Sequence, residues 1–202
     1  MENQTKAVYN FGLEDKDELY DRENRRLYIN YDIDETILDS IVYMILRYNR
    51  DDKDKSVDER KPIIIYINSP GGSVTDGFSL IDIILESKTP VYTVNQGICY
   101  SMGFLIFLAG QKRYSMKNST FLCHEGSGFS FGSMSKLKDR LEFETGQMEK
   151  HIMDYILSRT SISEELYRAN YKTEWYMYPY EAKRNGVLTH IVGVDCDIDE
   201  IL

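Results

Sequence analysis

Cysteine is scarce in this 202-residue chain: Cys99, Cys123 and Cys196 are the only three, with no CxxC pair among them. An odd count without paired spacing excludes a disulfide framework and a cysteine-based zinc site, and it fits a reducing compartment. Histidine is equally sparse, so acid-base chemistry near neutral pH has only His124, His151 and His190 to draw on. Positive charge is in deficit, with 24 Lys and Arg against 33 Asp and Glu and a formal net charge of -9. Phosphate backbones and anionic lipid surfaces would be repelled, so neither nucleic acid nor a membrane is an expected partner. The longest strongly apolar run, Phe104 to Ala109, falls far short of the roughly 20 residues that cross a bilayer. The opening Met-Glu-Asn-Gln-Thr has neither the basic nor the apolar stretch of a secretory leader, and a cytoplasmic protein is expected. Phosphate-cradling loops of the GxxxxGKS/T or GxGxxG kind are missing, and no metal or cofactor is expected.

What is present is the material of one folded domain, 42% hydrophobic and 28% charged. A chain of this length buries a core without covalent staples. Residues 1-22 are acidic and poor in apolar side chains, which predicts an N-terminal arm, mobile or ordered by a partner. The domain is expected over 23-202. Leu27, Ile29 and Tyr31 alternate as a short strand, and Asp34 can cap a helix whose apolar face is Ile37, Ile41, Met44, Ile45 and Tyr48. A charged linker, Asp51 to Lys61, then gives way to Ile63-Ile64-Ile65-Tyr66-Ile67, a continuous apolar run of the kind buried on both faces in parallel sheets. After the turn Ser69-Pro70-Gly71-Gly72 comes helical spacing at Val74, Phe78, Ile81 and Leu85, then a strand from Pro90 to Val94, which makes a βαβ unit. An apolar helix to Ala109 follows, with strands at Lys112 to Met116 and Thr120 to His124. A glycine-rich stretch (Gly126, Gly128, Gly132) leads into a long amphipathic helix from Met134 to Arg159. Helices at Ser163 to Tyr171 and Pro179 to Asn185 and a strand from Val187 to Val194 complete the prediction.

Of the histidines, His151 reads as a solvated helix residue and His190 as a structural one. His124 closes an apolar strand before a flexible loop, where active sites of α/β sheets gather. Ser101 stands where a strand gives way to a helix, whose free amides could stabilise an acyl-transfer oxyanion. Capping alone also explains a serine there. The Pro70-Gly71-Gly72-Ser73 turn permits positive φ or a close backbone approach. A generic esterase elbow, G-x-S-x-G, is ruled out because Cys99 holds its first glycine position.

Together Ile65-Tyr66-Ile67-Asn68-Ser69-Pro70-Gly71-Gly72-Ser73-Val74-Thr75 with Gly77, Gly97 followed by Tyr100-Ser101-Met102-Gly103, Cys123-His124, Glu181-Ala182-Lys183 and Asn185-Gly186-Val187 resemble the ClpP family, the proteolytic subunit of the ATP-dependent Clp protease. The resemblance runs from about Arg25 to Val194. It implies an α/β, ClpP/crotonase-like fold of stacked ββα units with a projecting handle helix, for which Met134 to Arg159 is the candidate. It implies a serine endopeptidase acting on peptides and unfolded proteins in a ring-shaped chamber, with Ser101 as nucleophile, His124 as general base, and the amides of Gly72 and Met102 as oxyanion hole. The orienting carboxylate falls on Glu174, where the family has Asp, and Cys99-Tyr100 replaces two small residues. Partners implied are further copies of the chain, in heptameric rings stacked as a tetradecamer through the handle, and an AAA+ unfoldase of the Clp type. Thr173 replaces an arginine that the family uses between rings. The unfoldase-docking cleft maps to Ile64, Tyr66, Val94, Gln96, Tyr114 and Met116, with Gln96 the polar exception. Glu174 and Tyr100 also motivate a rival reading, a non-catalytic or conditionally active ring subunit. A crotonase-type acyl-CoA enzyme is the third, and it leaves the pairing of Ser101 with His124 unexplained.

Overall fold

A computed structural model of the chain describes residues 20–126 and 133–202. The predicted arm therefore lies almost wholly outside the described residues, as do Gly128 and Gly132. A helical turn at 20–23 leads into β1 (Arg26–Ile29), which aligns in parallel with β2 (Ile63–Ser69). β3 (Val91–Tyr100), β4 (Lys112–Ser115) and β7 (His190–Ile191) extend the sheet in the order β1-β2-β3-β4-β7, all parallel. β5 (Thr120–Cys123) pairs in parallel with the far end of β3 and antiparallel with β6 (Trp175–Met177). The result is a mixed α/β fold with a mostly parallel sheet.

β2 is buried on both sides, as its apolar run predicts, and its alternation divides two clusters. Ile63, Ile65 and Ile67 join the main core under the helices, while Ile64 and Tyr66 face a second cluster with Val94 and Tyr114. The capping prediction at Asp34 holds, since its Oδ1 accepts from the amide and hydroxyl of Thr36 at 3.0 and 2.6 Å. A π-helical turn (Leu38–Val42) then runs into α1 (Tyr43–Asp51), and the five predicted core residues of this segment are all buried. α2 (Val74–Glu86) packs beside α3 (Met102–Ala109), every residue of which is buried, as befits a helix apolar all round.

The long predicted helix is helical from 134 to 159, built from α4 (Met134–Glu142), a π segment (Phe143–Met148) and α5 (Glu149–Arg159). α4 and the π segment bury no residue, whereas α5 buries Met153 and Ile156. α6 (Glu164–Asn170) and α7 (Pro179–Arg184) match their predictions to within a residue or two.

Three sequence readings are corrected. β3 continues six residues past Val94, β6 was not foreseen, and the strand expected over Val187 to Val194 shrinks to two residues. The charged linker is also partly core: Asp52 is 0% exposed, pairs with Arg25 through both carboxylate oxygens, and accepts from Lys55 and from Thr89 at 2.8 and 3.1 Å.

Candidate active site

β3 delivers Ser101 to the edge of the core. Its amide still donates to the Leu122 carbonyl of β5 at 3.0 Å, but its own φ is +52°. Only Arg25 shares such a conformation among the described non-glycine residues. A side chain held there costs on the order of 1–3 kcal/mol and persists only where the surroundings impose it. Here they do. The Ser101 carbonyl accepts from Phe104 and Leu105 at 3.0 and 3.2 Å, so α3 starts immediately after the turn and its first amides are left free. At the other end of α3, the Arg159 guanidinium donates to the carbonyls of Leu108, Ala109 and Gly110 at 3.0, 3.3 and 3.2 Å. A cation there complements the helix dipole, whose positive end lies at Ser101.

The Gly71-Gly72 turn lies directly against this elbow. A Cβ on Gly71 would stand 2.6 Å from Ser101 Cβ and 3.0 Å from the Met102 nitrogen, so a side chain is excluded. Gly71 has φ +108° and Gly72 φ +144°, and the turn is clamped by Ile33, whose amide donates to the Gly71 carbonyl while its carbonyl accepts from Ser73, both at 2.7 Å. Among the described residues, the amides of Gly72 and Met102 have no backbone acceptor. Two free N-H groups flanking Ser101 have the character that a developing oxyanion needs.

His124 follows β5, and the antiparallel register pairs Cys123 with Trp175, which sets His124 opposite Glu174. His124 Nδ1 lies 3.1 Å from Glu174 Oε1. Because a carboxylate only accepts, Nδ1 carries the proton in that bond and Nε2 is left as an acceptor. The second carboxylate oxygen accepts from the Tyr176 hydroxyl at 3.2 Å. Desolvation first, and Glu174 next, raise the Tyr176 pKa and keep the phenol a donor. Ser101 and His124 line one cavity of about 30 Å³, closed by Val74, Leu105 and the α5 residues Ile152 and Ile156. That volume is about one water molecule. Larger hollows of 310 and 390 Å³ lie by Lys88 and by Arg168 and contain neither residue. Among the described residues, Ser101 and His124 share the cavity without a hydrogen bond between them, a separation common in unliganded sites.

A family model for Clp protease matches residues 14–195. The chain belongs to the Clp protease family. ATP-dependent Clp protease proteolytic subunit 2 of Treponema pallidum (strain Nichols) is 26% identical over 181 residues, 87% of this chain and 86% of that protein. ATP-dependent Clp protease proteolytic subunit 1 of Prochlorococcus marinus (strain NATL2A) is 33% identical over 156 residues, 75% of this chain and 74% of that protein. As a Clp protease family member, the chain is a peptidase. No helix among its described residues is long and apolar enough to cross a membrane, and no group of His, Cys, Asp and Glu among them could hold a metal.

The departures from the Clp pattern have visible accommodations. The Tyr100 hydroxyl lies 2.7 Å from Thr120 Oγ1, and its ring packs edge-on against Tyr176 with centroids 5.7 Å apart. The bulky residue thus turns along β5 and supports the tyrosine that holds Glu174. Cys99 is fully buried and burial pushes its thiol well above its ordinary pKa, which removes it as a competing nucleophile. Of the six residues expected to line a docking cleft, Ile64, Tyr66, Val94 and Tyr114 form one cluster with Met116 packed against it. Gln96 stands apart, exposed, and donates to Asn30 Oδ1 at 2.9 Å. His151 is exposed with its ring 4.9 Å from Phe78, and His190 stacks on Tyr114 at 5.1 Å. Neither lines the cavity. Sequence reasoning missed Tyr176, for which an aromatic two residues after the carboxylate was the available signal, and the Ile33 clamp, which left no signal.

Proposed function

We propose that this chain is the proteolytic subunit of an ATP-dependent Clp protease and acts as a serine endopeptidase on peptides and unfolded proteins. The observation that carries the serine reading is the His124 to Glu174 contact of 3.1 Å beside the strained Ser101 elbow. In the proposed reaction Ser101 Oγ attacks the scissile carbonyl while His124 Nε2 takes its proton. Glu174 holds the imidazole in the productive tautomer and stabilises the imidazolium. The amides of Gly72 and Met102 receive the oxyanion, after which His124 returns the proton to the leaving amine. The imidazole must turn or shift toward Ser101 when substrate enters, which fits a site completed by assembly or by a bound chain.

Residues 23-202 constitute the protease domain in this reading, with 1-22 as an arm. Similarity to subunits named as ATP-dependent supports an AAA+ unfoldase as partner and heptameric rings stacked in pairs, with the helix over 134–159, which buries no residue along 134–148, between them. Three thiols outside any disulfide fit a cytoplasmic location. Ser101→Ala removes one hydroxyl and leaves the elbow in place, so it should abolish peptide hydrolysis with no change in circular dichroism or native mass. Undiminished hydrolysis by that variant, purified free of other proteases, would show that Ser101 is not the nucleophile.

A further inference from the structure

The sheet face opposite the main core carries a cluster of Ile64, Tyr66, Val94, Tyr114, Val192 and Ile201. The first five come from neighbouring strands or their ends. The sixth comes from a single 3₁₀ turn, Ile198–Ile201, about ten residues further along the chain from β7. Ile201 is 4% exposed while Ile198 and Leu202 are 51% and 61% exposed, so the turn inserts one side chain only. Its backbone is fixed as well, because the Tyr66 hydroxyl donates to the Ile201 carbonyl. Burial raises the Tyr114 phenol to about 12, and the Glu200 carboxylate of the same turn contributes.

The path back to the sheet is specifically built. Gly193 has φ +75° and donates to the Cys196 carbonyl at 2.7 Å, which reverses the chain. Asp195 Oδ2 accepts from the Ile191 amide at 2.7 Å, and its other oxygen pairs with Lys183. The turn at 198–201 is therefore presented to the cluster by its own fastenings and is not held by the burial of Ile201 alone.

We infer that the turn at 198–201 is a built-in occupant of the docking cleft, and that a partner segment enters only by displacing Ile201 and its carbonyl from the tyrosine-lined pocket. The inference deepens the docking reading proposed above and rests on it. It also defines the partner chemically: an extended or looped segment offering one aliphatic side chain and one backbone acceptor for Tyr66. A tethered occupant acts at an effective concentration of about millimolar, so partner affinity falls by the fraction of time the cleft is filled.

The test uses the full chain with Ile201→Asp, which places a charge in the apolar pocket, and with Ile201→Ala, which weakens the anchor with less risk to folding. Anilinonaphthalene sulfonate fluorescence should rise at least threefold for Ile201→Asp, with near-ultraviolet circular dichroism unchanged, and less for Ile201→Ala. A synthetic Asp-Ile-Asp-Glu-Ile-Leu peptide, the sequence of residues 197–202, should reverse the rise at millimolar concentration. If Ile201→Asp loses its tertiary signal, Ile201→Ala decides. Unchanged dye fluorescence in a folded variant overturns the occupancy. In parallel, degradation of an unfolded protein with Clp ATPases of the same host is compared for the parent and Ile201→Ala, and half-maximal stimulation at severalfold lower ATPase supports both readings. A dye response without any ATPase effect leaves the occupancy standing and removes the docking reading.

Discussion

Glu174 holds the imidazole with one oxygen and is itself held by Tyr176 through the other, so a carboxylate one methylene longer than the family's Asp is fixed at both ends. Losing the orienting carboxylate in a serine protease costs on the order of 10⁴ in turnover, about 5 kcal/mol, because the wrong tautomer is then favoured. Glu174→Gln should show a kcat loss of that order with native mass unchanged. Tyr176→Phe should cost far less and act on kcat more than on KM. If Glu174→Gln keeps nearly full activity, the carboxylate is a surface group and some other residue orients His124. These residues were unequally legible. His124 stood out at a strand end and Ser101 was a candidate that capping alone also explained, whereas Glu174 came only from the family resemblance, since nothing in Lys172-Thr173-Glu174 distinguishes a catalytic acid from a solvated one.

At the scale of elements, two of the misreadings, at β3 and at Asp52, share a cause: polar residues that the fold uses internally. The strand expected over Pro90 to Val94 ends where the polar Asn95-Gln96 pair interrupts the apolar run. In the sheet the Asn95 side chain donates to the Thr120 carbonyl at 2.9 Å and accepts from the Gly97 amide at 3.1 Å, so the strand passes through and carries Ser101 to its place. β6, three residues within an aromatic cluster, is too short for a period to show. Val187 and Leu188 are buried without joining a strand, which is why an apolar run there imitated one. Asp52 follows the same pattern, tying the end of α1 to the start of β1 through Arg25. Removing one partner of a buried pair leaves an uncompensated charge and costs about 3–5 kcal/mol, so Asp52→Ala should lower the urea midpoint sharply. The Arg25 hydrogen bond, first among several, holds the Asp52 carboxyl well below the usual carboxylate range. A depressed folded-state pKa contributes stability that is complete above the unfolded value of about 4 and is lost as pH falls toward the folded one. The stability gap between parent and Asp52→Asn should therefore narrow from pH 6 to pH 3. A gap independent of pH would show that the carboxylate contributes by packing alone.

For the whole molecule, the alternation of β2 sets the plan. One face of the sheet supports the helices that position Ser101, and the other carries the second apolar cluster. This much was legible, because a run of apolar residues with no polar alternation can only be covered on both sides. The cover itself was not, since the segment that provides it has a single inward residue in an acidic stretch. The handle has the converse character. Met134, Leu141 and Phe143 are exposed on a helix that buries nothing in its first two thirds, as a helix awaiting another copy would be. Phe143→Asp should convert paired rings to single rings in native mass spectrometry, halving the assembly mass while leaving each ring folded. An unchanged mass would move the ring contact elsewhere.

Ser101, strained at its elbow and lining one cavity with His124, is the proposed nucleophile. A fluorophosphonate probe followed by peptide mapping measures this most directly, because phosphonylation requires a hydroxyl activated by a neighbouring base. The assembled protein should be labelled at Ser101, and the label should be lost in Ser101→Ala. Assembled rings that remain unlabelled at every pH, or that are labelled at another serine, would contradict it.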